Sequence, residues 1–178
     1  MPMVSFDDTA VAFAGKDDQE LQKSAWLFRI MSNAAIVDIG SHITKLALQI
    51  GLPVQSILKA TIYEHFCGGE DLSETIPTVE SLATHQVSTI LDYGVEAKAS
   101  DEEFDKNLEE QLRAIEFADS NSSVPYVSCK ITGYAPFSLL EKMNSSSDLN
   151  SEETAMLHRL KGRLDKICEA ASNSDVAL

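Results

Sequence analysis

The 178-residue sequence predicts an α/β protein, with an N-terminal helical region over residues 1–85. Residues 86–178 then read as the opening strands and helices of a (β/α)8 TIM-like barrel, cut short before closure. Three observations carry that reading. Apolar residues recur at helical spacing as far as residue 85. The period changes from 3.6 to 2 at "QVSTILDYGVEAKAS" (86–100). Beyond it, strand and helix patterns alternate, and helical crossovers between strands make a parallel sheet covered by helices.

The first helix follows Asp17 and Asp18, acids that suit a first turn. Leu21, Ala25, Phe28 and Met31 form its apolar stripe. Ile36, Ile39, Ile43, Leu46, Ala47 and Ile50 repeat the pattern, and Gly51 with Pro53 stops it. A third helix spans about 54–66 on Ile57, Leu58 and Ile62, with "CGG" (67–69) as its C-terminal cap. A fourth covers 73–85, and Pro77 belongs near its start, where a missing backbone donor does least harm.

Residues 87–93 read as a strand with Asp92 near its end. "SDEE" (100–103) is a capping box for a long acidic helix whose core stripe is Phe104, Leu108, Leu112 and Ile115. "VPYVSCKITGYAP" (124–136) supplies the second strand. A short helix over 136–143 and a polar loop lead to a last helix on Leu157, Leu160, Leu164, Ile167 and Ala171. "SDVAL" opens a third strand, and a barrel does not close on three.

Composition narrows the function. A net charge of −14 repels phosphate backbones and anionic lipid, which argues against nucleic acid as a partner. No apolar run is long enough to span a bilayer, and "MPMVSFDDTAVAFAG" lacks the basic region of a leader, so a cytosolic location is expected, the cytosolic face of a membrane included. Cys67, Cys129 and Cys168 are odd in number and widely spaced. They are expected to be reduced and structural, with no metal site.

Strand alternation singles out one residue. Tyr126, Ser128 and Lys130 share one face of their strand, and Ser88, Ile90 and Asp92 share a face of the preceding one. Both strands thus deliver an ionisable group late, toward the carboxyl ends where barrel active sites lie. Asp92 and Glu96 are expected to lie close to Lys130 and to orient or neutralise it. A lysine so placed either forms a Schiff base, which needs an apolar or cationic surrounding, or grips an anion as a permanent cation. Acidic neighbours favour the grip. The plain structural alternative is an edge strand with one wet face.

Five segments then carry a resemblance: "FDDTAVAFAGKDDQELQKSAWLFRIM", "HFCGGEDLSETIPTVESLA", "TILDYGVEAKAS", "RAIEFA" and "KITGYAPFSLLEKM". In that order they resemble flavin-dependent proline dehydrogenase in its bacterial monofunctional form, over nearly the whole chain. "LDYGVE" and "CKITGYA" are the most specific pieces. The resemblance implies a barrel that binds FAD and oxidises L-proline to Δ1-pyrroline-5-carboxylate. Electrons would pass to a quinone, with peripheral membrane association of the full-length enzyme. It also implies that Lys130 pairs with the substrate carboxylate, that Asp92 ends the first barrel strand, and that Glu96 pairs with a late arginine. Family members continue past "DVAL" into flavin-holding strands, so an N-terminal fragment, inactive alone, is expected. Two other readings stay open: a non-catalytic acidic interaction module, and a Schiff-base aldolase using Lys130.

Overall fold

The structure is a computed structural model that describes residues 7–94, 100–145 and 148–178. It is mostly helical, with a small parallel sheet. Two compact units divide the chain, Met1–Ser81 and Leu82–Leu178.

In the first unit a short α1 (Thr9–Ala12) precedes α2 (Asp18–Met31) and α3 (Ala34–Gln49). Asp17 and Glu20 form a reciprocal capping box at the start of α2, and Asn33 caps α3. Gly51 ends α3 at φ +76°. There the Leu52 N–H reaches Ala47 O at 2.9 Å and the Gly51 N–H reaches Leu48 O at 3.1 Å, a Schellman closure that needs the left-handed conformation. The expected third helix is a continuous helical run made of α4 (Gln55–Leu58), a π-turn (Lys59–Tyr63) and α5 (Glu64–Phe66).

Several expectations change in this unit. The "CGG" segment is not a left-handed cap, because Gly51 is the positive-φ glycine among the described residues. What Gly69 provides is closeness: a Cβ there would stand 2.8 Å from the Glu74 backbone, so the loop can fold onto the start of α6 (Leu72–Thr84). Pro77 lies more than a turn inside α6, not at its start, since the helix begins at Leu72. The apolar stripe of α3 is not a core. Ala47 is buried there, while Ile36, Ile39, Ile43, Leu46 and Ile50 are all exposed.

The second unit is built on β1 (Ile90–Leu91) and β2 (Tyr126–Val127), paired in parallel with Ile90 opposite Tyr126 and Leu91 opposite Val127. Ala177 adds an isolated parallel bridge to Tyr126 where a third strand was expected. Both strands are shorter than expected, and after β2 a 3-10 turn (Ile131–Gly133) replaces the predicted strand end. Leu91 and Val127 are buried, while Ile90 and Tyr126 remain exposed on the opposite face. α7 (Asp101–Asp119) packs against β2 and against α9 (Ser151–Ser172), and α8 (Phe137–Asn144) packs against α9. Their core includes Phe104, Ile115, Leu139, Leu160 and Ile167. Of the cysteines, Cys67 and Cys168 are exposed and only Cys129 is half-buried, so they are unbonded but mostly not core residues.

Candidate functional site

Parallel strands end on the same edge of their sheet, so residues just beyond β1 and β2 are brought together however far apart they lie in sequence. Asp92 directly follows β1, and Lys130 follows β2 by three residues. The Lys130 ammonium donates to Asp92 Oδ2 at 2.6 Å. Both side chains are about half exposed. Both residues lie just outside the strands and are exposed. The structure therefore joins two of the three predicted site residues. Glu96 lies outside the described residues.

An ammonium has three N–H donors. Asp92 takes one and fixes the head of the lysine, which leaves donors for an arriving anion. An imine-forming amine needs an apolar or cationic setting instead, so a carboxylate at 2.6 Å fits an anion grip better than a Schiff base.

The same unit holds a buried polar cluster that the sequence reading missed. Asn107, Gln111 and Arg163 are buried among apolar residues. Arg163 donates through Nε to Asp105 at 2.8 Å, through Nη2 to Asp101 at 2.8 Å, and through Nη1 to the Tyr134 carbonyl at 3.0 Å. Its guanidinium also stands over the Phe104 ring, 5.5 Å from the centroid. Burial disfavours the arginine charge, but its hydrogen bonds to Asp105 and Asp101 outweigh this and move the group above its ordinary value. Reciprocally, Arg163 above all, with Arg159, holds the Asp101 carboxyl below the usual carboxylate range. Burial pushes the Tyr134 phenol well up, helped by Cys129. Burial likewise raises the Cys129 thiol. One signal in the sequence could have exposed this cluster: Asn107 and Gln111 fall at i+3 and i+7 from Phe104, on the very stripe identified as core.

Comparison with known proteins adds a family to this geometry. The chain is 32% identical to mitochondrial proline dehydrogenase 1 of Dictyostelium discoideum over 141 residues, which is 78% of this chain and 25% of that protein. It is 26% identical to mitochondrial proline dehydrogenase 1 of Arabidopsis thaliana, across 98% of this chain and 44% of that protein. This chain is a distant homologue of proline dehydrogenases. A protein named for carbapenem antibiotic biosynthesis, CarD of Pectobacterium carotovorum, is 26% identical over 68% of this chain and 32% of its own length. Proline dehydrogenase homology thus extends over much of the chain, while the chain spans less than half the length of each of these relatives. No family model and no solved structure matches it. Among the described residues, no helix is long and apolar enough to cross a membrane.

Proposed function

We propose that this chain is the opening part of a proline dehydrogenase barrel and that Lys130 supplies its grip on the substrate carboxylate. The observation that supports this is the exposed Lys130–Asp92 pair, set beyond the carboxyl ends of adjacent parallel strands. In a (β/α)8 barrel the helices cover the outer face and the site lies at those strand ends. In the described sheet α7 packs against β2, and the ionisable pair beyond the strand ends is exposed. Within the family, the quoted segments point to the bacterial monofunctional form. The cytosolic location expected from the sequence stands against the mitochondrial names of the relatives, and cell fractionation of the native protein separates the two.

The reaction proposed for the complete protein is oxidation of L-proline to Δ1-pyrroline-5-carboxylate, with FAD as the hydride acceptor and a quinone as the final electron acceptor. The helix start that follows β1 does not fit a flavin pyrophosphate. The helix after β1 opens with Asp101, Glu102 and Glu103, and that acidic turn repels a pyrophosphate. We therefore assign no step through the flavin to that turn. The part of the site pair is to hold the carboxylate, with Asp92 fixing the lysine head and Lys130 turning its remaining donors to the substrate. The chain alone is expected to be inactive and not to retain FAD.

The test is Lys130→Ala in the complete enzyme. Loss of one charge-assisted contact of about 1.5–3 kcal/mol corresponds to a ten- to hundredfold fall in kcat/KM, roughly. Flavin content should be unchanged. Lys130→Arg keeps the charge but alters its reach, so it should rescue in part. Unchanged kinetics in Lys130→Ala would return Lys130 to a wet strand edge. A stoichiometric yellow complex of the 178-residue chain would overturn the fragment reading.

A further inference from the structure

Asn107, Gln111 and Arg163 come from two helices, yet all three donate to carbonyls of one short segment. Gln111 Nε2 reaches Ser128 O at 3.2 Å. Asn107 Nδ2 reaches Gly133 O at 2.8 Å. Arg163 Nη1 reaches Tyr134 O at 3.0 Å. The Tyr134 hydroxyl in turn donates to Gln111 Oε1 at 3.0 Å. Carbonyls 128, 133 and 134 bracket Lys130 on both sides. From these contacts we infer that Asn107, Gln111 and Arg163 are positioning residues that set where the Lys130 ammonium stands.

The physical reason is that the ladder ends too soon to do this. β2 stops at Val127, and the last strand-to-strand hydrogen bond beyond it runs from the Ser128 N–H to Leu91 O at 2.7 Å. From there the chain has only the 3-10 turn, closed by the Gly133 N–H on the Lys130 carbonyl at 2.9 Å. Buried carbonyls left without a partner cost about 1–3 kcal/mol each, so this stretch needs donors from elsewhere. Side-chain amides and a guanidinium provide them from helix positions that an apolar residue would otherwise fill. The arrangement is directional as well as satisfying. Gln111 holds the strand end through both its donor and its acceptor, and the planar Arg163 fork ties the same stretch to Asp101 and Asp105 at the start of α7. Lys130 therefore leaves a backbone held from both sides, and its reach to Asp92 follows from that backbone.

This inference rests on the reading of Lys130 as the carboxylate grip, so its readout must not depend on activity. The 178-residue chain, labelled at lysine and backbone nitrogen, is followed by NMR. In the unaltered chain, the amides of Ser128, Gly133 and Tyr134 should exchange as slowly as those in the buried half of α7. Exchange at open-loop rates would overturn the inference without any variant being made. In Gln111→Met and Asn107→Leu, those three amides should lose protection at least tenfold more than the α7 amides do. The Lys130 Nζ resonance should move toward its position in Asp92→Asn. Tyr134→Phe removes only the hydroxyl contact and should leave the Lys130 resonance near its original position. An unmoved Lys130 resonance in both amide variants, or an equal loss of protection throughout the unit, would assign these residues to general stability alone. If the resonance responds while Lys130→Ala in the complete enzyme keeps its kcat/KM, the positioning stands and the carboxylate reading falls.

Discussion

The two units have similar helical periodicity and opposite burial. In Met1–Ser81 the buried apolar residues among those described are Leu27, Ala47 and Val79, and the five-residue stripe along α3 faces solvent, with Ile43 62% exposed. In Leu82–Leu178 three helices close on a short sheet and bury Phe104, Ile115, Val127, Leu139, Leu160 and Ile167, with Phe104 1% exposed. The difference teaches what periodicity means. A stripe at 3.6 spacing shows that a helix face requires cover, whereas the cover itself comes from other elements. A sheet with crossover helices brings its own cover. A succession of helices need not.

The largest expected effect tests that contrast directly. Phe104→Ala should destabilise the second unit by about 3–5 kcal/mol, because it empties a fully enclosed position. Ile43→Ala should change stability by no more than about 0.5 kcal/mol, since its side chain is already wet. Urea unfolding measures both, with Trp26 fluorescence reporting on the first unit. Comparable losses at the two positions would mean that the α3 stripe is covered in solution.

Next in size is the ionic anchor of the second unit. Asp101 and Asp105 are about half exposed or more, so Arg163→Met leaves them solvated and should cost about 1–3 kcal/mol, less than the loss expected when both partners are buried. A pH signature accompanies it. Asp101 titrates below its ordinary value when folded, so on acidification the unfolded chain takes up the proton first. The stabilisation is complete above about pH 4 and is lost as pH falls through the lower, folded value. Acid unfolding should therefore lose this component in Arg163→Met. At the alkaline end Tyr134 behaves in the opposite sense. Its folded phenol titrates above the unfolded one, so its contribution is present below about pH 10 and is lost as pH rises. Tyr134→Phe should remove that alkaline step, as followed by unfolding above pH 10, and phenolate absorbance should lack one tyrosine in the folded chain.

Smaller still is a backbone effect. Gln86 sits at φ 60°, closing α6 with Val87 N–H to Leu82 O at 3.1 Å and Gln86 N–H to Ala83 O at 3.0 Å. Glycine adopts that conformation without a Cβ clash, so Gln86→Gly should stabilise the chain by roughly 1 kcal/mol in thermal unfolding. Smallest should be the candidate site itself. Asp92→Ala and Lys130→Ala are expected to shift stability by only about 0–1 kcal/mol, as for other exposed ion pairs. A larger loss would mark the pair as a structural tie and weaken the carboxylate reading.

Helix placement was largely legible in the sequence, because it depends on near neighbours. Asp17, Asn33, Ser100 and Asn150 accept hydrogen bonds from amides two or three residues on, and Gly51 closes α3 locally. The pairing of Asp92 with Lys130 was also legible, since parallel pairing brings both strand ends to one edge. Strand length was not. It depends on where hydrogen-bond partners end, and the chain leaves the ladder for a 3-10 turn that residue preferences alone do not announce. Nor was the burial of Asn107, Gln111 and Arg163. Spacing puts Asn107 and Gln111 on the core stripe, but their polar side chains can be buried only because carbonyls from 128, 133 and 134 arrive from elsewhere in the chain to receive these hydrogen bonds, as they do for Arg163. Local chemistry determined the helices, their caps and the faces of the strands. Tertiary structure alone decided which apolar stripes became core and which polar side chains became buried, because burial depends on what a distant segment places opposite.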